Sequence, residues 1–164
     1  MKVEAASRAD AMTIAIPRRI LLVEDSGFFR RALAENLRKR GFGVLECPNG
    51  EQAVALARID MPDLILLDMM MPRLDGMMFL RMLRSDPETK SISVIVLTGS
   101  RKDCDQKAAL KLSVDGYYTK DSIQFDELLE AIEKAFTARA LVPIAATPEV
   151  NRASPASQQM TPPH

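Results

Sequence analysis

Residues 63–76 read Asp-Leu-Ile-Leu-Leu-Asp-Met-Met-Met-Pro-Arg-Leu-Asp-Gly. Leu64 to Leu67 form an unbroken apolar run between two aspartates, too short for a helix and with no polar alternation. A run of that kind is how a parallel strand buried on both faces looks. Working outward, short runs rich in β-branched, aromatic and aliphatic residues recur at 19–23, 43–45, 93–97 and 116–119. Between them apolar residues return at helical spacing: Phe29, Leu33 and Leu37, then Ala53, Leu56 and Ala57, then Met78 with Met82, then Ala108 with Leu112. Leu128, Leu129, Ile132 and Phe136 complete the series. Gly41 suits the end of the first helix and Asp86-Pro87 the end of the third. Five strand–helix units in succession predict an α/β fold, a doubly wound five-stranded parallel sheet with helices on both faces. Periodicity leaves the strand order open.

The flanks differ in composition. Residues 1–17 mix Ala with charge and have no sustained period, so a flexible N-terminal arm is expected up to Pro17. From 141 to 164 five prolines are interleaved with Ala, Ser, Thr and Gln, which predicts a disordered tail. The folded domain should span 18–140. Lys plus Arg and Asp plus Glu each number 22, so no net field draws in nucleic acid or an anionic membrane. The N-terminus shows no apolar core of a leader and no stretch approaches a membrane span, so the chain is expected in the cytoplasm. Cys47 and Cys104 have no metal-ligand spacing, and the only histidine is His164, so both are expected as reduced thiols.

Ligands of open α/β sheets bind beyond the carboxyl ends of the strands, so the polar residue that ends each run matters most. The first run ends in Glu24-Asp25, the third in Asp68, the fourth in Thr98 and the fifth in Lys120. Three carboxylates at one edge repel one another unless a cation lies among them. Hard oxygen ligands without His or Cys point to magnesium or manganese. Asp68 can act as a nucleophile that forms an acyl phosphate, Lys120 can supply an ammonium for phosphoryl oxygens, and Thr98 a hydroxyl for the same group.

These residues lie in LLVEDS (21–26), DLILLDMMMPRLDG (63–76), VIVLTG (94–99) and DGYYTK (115–120), and with them the chain resembles the receiver domain of bacterial response regulators, in size the stand-alone, chemotaxis-regulator-like members. The resemblance covers about 18 to 140. It implies a flavodoxin-like (βα)5 sheet in the order 2-1-3-4-5. It implies that Asp68 is the phosphoacceptor and that Glu24, Asp25, Asp68 and the backbone carbonyl of Met70 hold the Mg2+ or Mn2+. It makes Thr98 and Tyr117 a coupled switch pair. The implied donor is a histidine kinase or histidine phosphotransfer protein, and the implied output is a protein target meeting the fourth helix, fifth strand and fifth helix. Whether phosphorylation also drives a homodimer through that face is left open.

Two positions depart from the common pattern. Glu24 stands where many members have a first aspartate, and Asp121 follows Lys120 where many have proline, so a cis peptide is not expected there and Asp121 with Ser122 is expected to cap the fifth helix. Pro72 and Gly76 should shape the loop after Asp68 and the start of the third helix. The methionines at 69–71, 77, 78 and 82 are expected to fill core and shape the loop rather than bind a soft metal. Arg18-Arg19, Arg30-Arg31 and Arg38-Lys39-Arg40 are expected as a solvated helix face, with a patch for an acidic partner as the alternative.

Three other functions use a related fold or nucleophile. A phosphatase of the haloacid-dehalogenase type would carry a second aspartate two residues after the nucleophile, where this chain has Met70, so an enzyme turning over external substrates is not expected. A flavin-binding flavodoxin is excluded by carboxylates in place of a phosphate loop after the first strand. The remaining alternative is a degenerate receiver that acts as an interaction module without phosphorylation.

Overall fold

A computed structural model describes residues 16–99 and 103–141, with the side chains of 103 and 104 excepted. Most of the expected arm, the tail from 142 and the Cys104 thiol therefore lie outside the described residues. Five strands alternate with five helices: β1 (Arg19–Val23), α1 (Gly27–Lys39), β2 (Gly43–Cys47), α2 (Gly50–Asp60), β3 (Leu64–Leu67), α3 (Gly76–Ser85), β4 (Ser93–Thr98), α4 (Asp103–Lys111), β5 (Gly116–Thr119) and α5 (Phe125–Ala140). All pairings are parallel and the order is β2-β1-β3-β4-β5. This is the flavodoxin-like α/β fold that the alternation and the resemblance implied.

The central strands β3 and β4 are buried at every position. Because successive side chains point to opposite faces, each strand feeds two cores. Ile65 and Leu67 join Leu21, Val23, Val94 and Val96 in a core closed by Ala53 and Ala57 of α2, Phe79, Leu80 and Leu83 of α3, and Ala109 of α4. Leu64 and Leu66 face the other way, with Ile20, Leu22, Ile95 and Leu97, under Leu33 and Leu37 of α1 and Leu128, Ile132 and Phe136 of α5. Full burial of each Leu or Ile contributes about 1.5–3 kcal/mol.

Local chemistry sets the helix ends. Asn49 and Asp75 each accept an amide of the first helical turn, Gln52 N at 2.9 Å and Met78 N at 2.8 Å. Gly41 follows α1 with φ of 91°, a conformation that costs other residues a Cβ clash. Asp86, ahead of Pro87, ends α3 in extended backbone.

Three expectations need correction. Met78 and Met82 were expected to mark the buried face of the third helix, but both are exposed, while Phe79, Leu80 and Leu83 carry the packing. The long unbranched side chains lie on the solvent side of a stripe one residue further along. In α4 the fully buried residue is Ala109, with Ala108 only half-buried, and Leu112 packs from beyond the helix end. The cap of α5 is Gln124, whose amide donates to Glu127 Oε2 at 3.1 Å. Asp121 and Ser122 lie in the turn before it, where the Ser122 hydroxyl meets that of Thr119.

Candidate functional site

The sheet register brings the strand ends together. Val23 pairs with Cys47 and Leu67, and the ladder continues as Glu24 N donates to the Cys47 carbonyl at 3.0 Å and Asp68 N to the Val23 carbonyl at 3.0 Å. On the other side Thr98 pairs with Thr119, and Lys120 N donates to the Thr98 carbonyl at 2.9 Å. Glu24, Asp25, Asp68, Thr98 and Lys120 thus share one edge.

Carboxylate oxygens of Glu24, Asp25 and Asp68 lie within 4.8 Å of one another. Glu24 and Asp68 are buried, at 2% and 4% exposure, and Asp25 opens to solvent. Lys120 reaches in from the end of β5, bonding Glu24 Oε2 and, at 3.1 Å, Asp68 Oδ2. Its ammonium also lies 4.7 Å from the centre of the Phe29 ring, so an aromatic face helps hold the cation. Asp68 Oδ1 accepts the Met70 amide at 3.0 Å, and Glu24 Oε1 accepts the Ser26 amide at 3.0 Å. Glu24 thus meets the amide two residues on with one oxygen and Lys120 with the other, the same pattern that Asp68 makes with Met70 and Lys120.

Burial pushes the Glu24 carboxyl above its ordinary 4.5, opposed by hydrogen bonds from Lys120 and the Ser26 amide, while the charge of Asp68 adds to the rise. For Lys120 burial is the largest single influence and acts downward. Hydrogen bonds to Glu24 and Asp68 and the charges of both outweigh it, so its ammonium is held above the ordinary 10.5. Three carboxylates against one ammonium leave the edge with an excess of negative charge. An all-oxygen donor set of this size fits a hard divalent cation such as magnesium or manganese.

Packing fixes Asp68 from below. A Cβ on Gly76 would lie 2.6 Å from the Asp68 carbonyl oxygen and 2.6 Å from Met69 Cα, so only glycine lets α3 start this close. Met69 and Met71 are buried beneath the loop and Met70 is exposed, so the methionines do pack and shape the loop on this side. Thr98 is fully buried. Tyr117 is half-buried, its ring packed against the α2–α3–α4 core and its hydroxyl oxygen shielded from solvent. The face formed by α4, β5 and α5 carries a hollow of about 440 Å3 lined by Gln106, Tyr117, Thr119 and Glu127 among others.

The sequence reading missed four residues. Phe29, Ser26 and Glu46 reach the site or its supports, and so does Arg30, which was counted with a basic patch. Arg30 turns inward to the Glu24 carbonyl, while Arg38 pairs with Glu46 at 2.9 Å and Arg40 lies 3.5 Å from Asp126. Arg31 stays exposed. The available signal was Arg30's place in the first turn of a helix, where the helix dipole disfavours a cation.

A doubly wound sheet thus gathers an acidic edge, with its aspartate on the central strand and its lysine after the last. Residues 20–133 match the response regulator receiver domain family, and the chain belongs to it. It is similar to protein PilH of Pseudomonas aeruginosa, with 38% identity over 114 residues that cover 70% of this chain and 93% of PilH. It is also similar to the gliding motility regulatory protein of Myxococcus xanthus, with 34% identity over 116 residues, 71% of this chain but 15% of that protein. Among solved structures, a DNA-binding response regulator of the LuxR family from Staphylococcus aureus superimposes with a TM-score of 0.67 at 27% identity, covering 73% of this chain and 98% of that one. A CheY-like receiver domain protein from Methanospirillum hungatei gives 0.70 at 21% identity over 76% and 98%, a likeness of fold. Receiver domains interact with histidine kinases. No helix among the described residues is long and apolar enough to cross a membrane.

Proposed function

We propose that this chain is a phosphorylation-activated switch of a two-component phosphorelay, in which Asp68 accepts a phosphoryl group from a histidine kinase or histidine phosphotransfer protein. The observation that carries the reading is the excess of carboxylate over ammonium at one sheet edge, with Asp68 at its centre and hydrogen-bonded on both oxygens. Glu24, Asp25, Asp68 and the Met70 carbonyl would hold Mg2+ or Mn2+. The bound ion would supply charge neutralisation for the phosphoryl oxygens.

The chain's own residues do the rest. A carboxylate oxygen of Asp68 attacks phosphorus, the bond from phosphorus to the donor imidazole nitrogen breaks, and the electron pair leaves with the imidazole. The Met70 amide holds Asp68 Oδ1 in one orientation, which lowers the entropy cost of alignment. Lys120, already bonded to Asp68, pairs with a phosphoryl oxygen. Thr98 donates its hydroxyl to the same group, and Tyr117, two residues before Thr98's partner Thr119 on β5, repacks behind Thr98. The hollow among α4, β5 and α5 borders Tyr117, which supports output through that face to a partner protein in the cytoplasm.

The test is intact mass after incubation with acetyl phosphate. A single phosphate adduct that needs magnesium and is lost in Asp68→Asn is expected. Stoichiometric labelling of Asp68→Asn would defeat the assignment, and absence of any adduct in the unaltered chain would leave a phosphorylation-independent interaction module.

A further inference from the structure

Arg30 is the side chain at this edge with the least obvious reason to be there. It lies in the first turn of α1, where the exposed amides make the helix end positive and disfavour a cation. Yet its side chain is only 17% exposed. One guanidinium nitrogen, Nη1, donates to the Glu24 carbonyl at 2.7 Å and lies 3.5 Å from the Asp25 carbonyl. Its Nε lies 3.5 Å from Glu46 Oε2, and Glu46, on β2, is held in turn by Arg38 at 2.9 Å. The guanidinium also passes over the turn itself: a Cβ on Gly27 would meet Arg30 Nη2 at 3.8 Å.

We infer that Arg30 is a positioning residue for the acidic pair: anchored on Glu46, its guanidinium fixes the backbone carbonyls of Glu24 and Asp25 and thereby aims their carboxylates toward Asp68 for a divalent cation. The inference rests on the reading of this edge as a magnesium or manganese site. The physical logic is that of an outer shell around ligands. Glu24 is already tied through its amide to Cys47 and its carboxylate to Ser26 and Lys120, so its carbonyl is the remaining backbone handle. Asp25 is exposed, and its side chain can wander unless the peptide plane that follows it is fixed. A rigid fork suits two adjacent carbonyls and one carboxylate better than the point charge of lysine. Loss of such an outer partner typically lowers metal affinity about 10–100-fold.

A simple charge effect has the opposite sign. Removing a cation near a divalent ion relieves repulsion, so Arg30→Gln would bind magnesium more tightly if Arg30 acted only through its field. If it positions the ligands, Arg30→Gln binds more weakly, by about tenfold. Arg30→Lys keeps the charge but loses the fork and is expected to weaken binding too. Glu46→Gln should move binding in the same direction by less, and the double variant should be no worse than Arg30→Gln alone.

The experiment is calorimetric titration of the full chain with magnesium alone, without phosphodonor, beside thermal unfolding in chelator. Weaker binding in both Arg30 variants, with unfolding in chelator close to the unaltered chain, is the expected result. Binding that is unchanged or tighter overturns the inference, and so does lysine restoring full affinity. Asp25→Asn separates the two levels. If Asp25→Asn abolishes binding and Arg30→Gln leaves it intact, only the positioning role fails. If the unaltered chain binds no magnesium, the reading of the site and this inference fall together.

Discussion

The two ends of the sheet both hold partly buried charge, and they handle it in opposite ways. At the amino end most of the charge is matched to backbone, with Arg19 also paired to the Asp60 carboxylate at 3.0 Å. Asp63 accepts the Arg19 amide at 2.8 Å, Asp115 accepts the Val94 amide at 2.9 Å, and Arg19 donates to the Asp60 carbonyl at 2.7 Å. Arg84 goes furthest, donating to the carbonyls of Leu112, Lys90, Ile92 and Ser113 at 2.8–3.0 Å. At the carboxyl end Glu24, Asp68 and Lys120 are matched chiefly to one another, with one negative charge more than the ammonium neutralises and Asp25 beside them. Charge satisfied by backbone holds a fold; charge left in excess of its partners is available to a ligand.

The contrast breaks most visibly at Arg84. Burial lowers the pKa of this guanidinium, with Asp115 opposing the shift, so the group is costly to keep and its bonds to backbone must compensate. Arg84→Leu leaves carbonyls just after α4 and ahead of β4 without a donor, and should cost about 3 kcal/mol in urea unfolding. Magnesium affinity of the folded fraction should not change. A large loss of magnesium affinity would mean the two ends are not independent.

Lys120→Met tests the opposite end and should cost about 2 kcal/mol near neutral pH, since one partner of a pair that is only partly shielded is removed. The pH dependence has a definite sign. The folded-state pKa of Lys120 is raised, so its stabilisation is complete below 10.5 and is lost as pH rises through the folded value. The folded-state pKa of Glu24 is raised too, so the native state loses stability as pH climbs from 4.5 through that value, and more so without the Lys120 hydrogen bond. The difference between Lys120→Met and the unaltered chain should therefore shrink in acid, grow above 4.5 and shrink again above 10.5. A difference flat across that range would mean that these groups do not interact as described.

A smaller effect, about 1–2 kcal/mol, is expected for Gly76→Ala, whose methyl would press on the Asp68 carbonyl and Met69 Cα. Because the displaced backbone carries Asp68, acetyl phosphate labelling should slow by more than the stability loss explains. Unchanged labelling in a destabilised protein would show that Asp68 tolerates the shift.

Much of this was legible in the sequence. Parallel strands buried on both faces have to be continuous apolar runs, and 19–23 and 64–67 coincide with the observed strands; 116–119 coincides too, although that edge strand is only half-buried. The position after each run maps onto one edge, which is why Glu24, Asp25, Asp68, Thr98 and Lys120 could be read together. The strand order came only from the family resemblance. What stayed hidden depended on long side chains or on the phase of a helix. Arg30 acts through the flexible reach of its side chain to two carbonyls, which no periodicity records. Met78 and Met82 have helical spacing but the wrong phase, and α4 is too short and polar to fix its own.

The most direct measurement is to locate the modification. The chain is labelled with acetyl phosphate and magnesium, reduced with borohydride, which converts an aspartyl phosphate to homoserine, and cleaved with trypsin so that Asp68 lies in the peptide 59–73 together with Asp60 and Asp63. Fragmentation should place homoserine at position 68 and leave the two amino-end aspartates untouched. Homoserine at position 60 or 63 would contradict the assignment of function to the charge-rich carboxyl edge, and homoserine at 25, in the tryptic peptide 20–30, would contradict the choice of Asp68 within that edge.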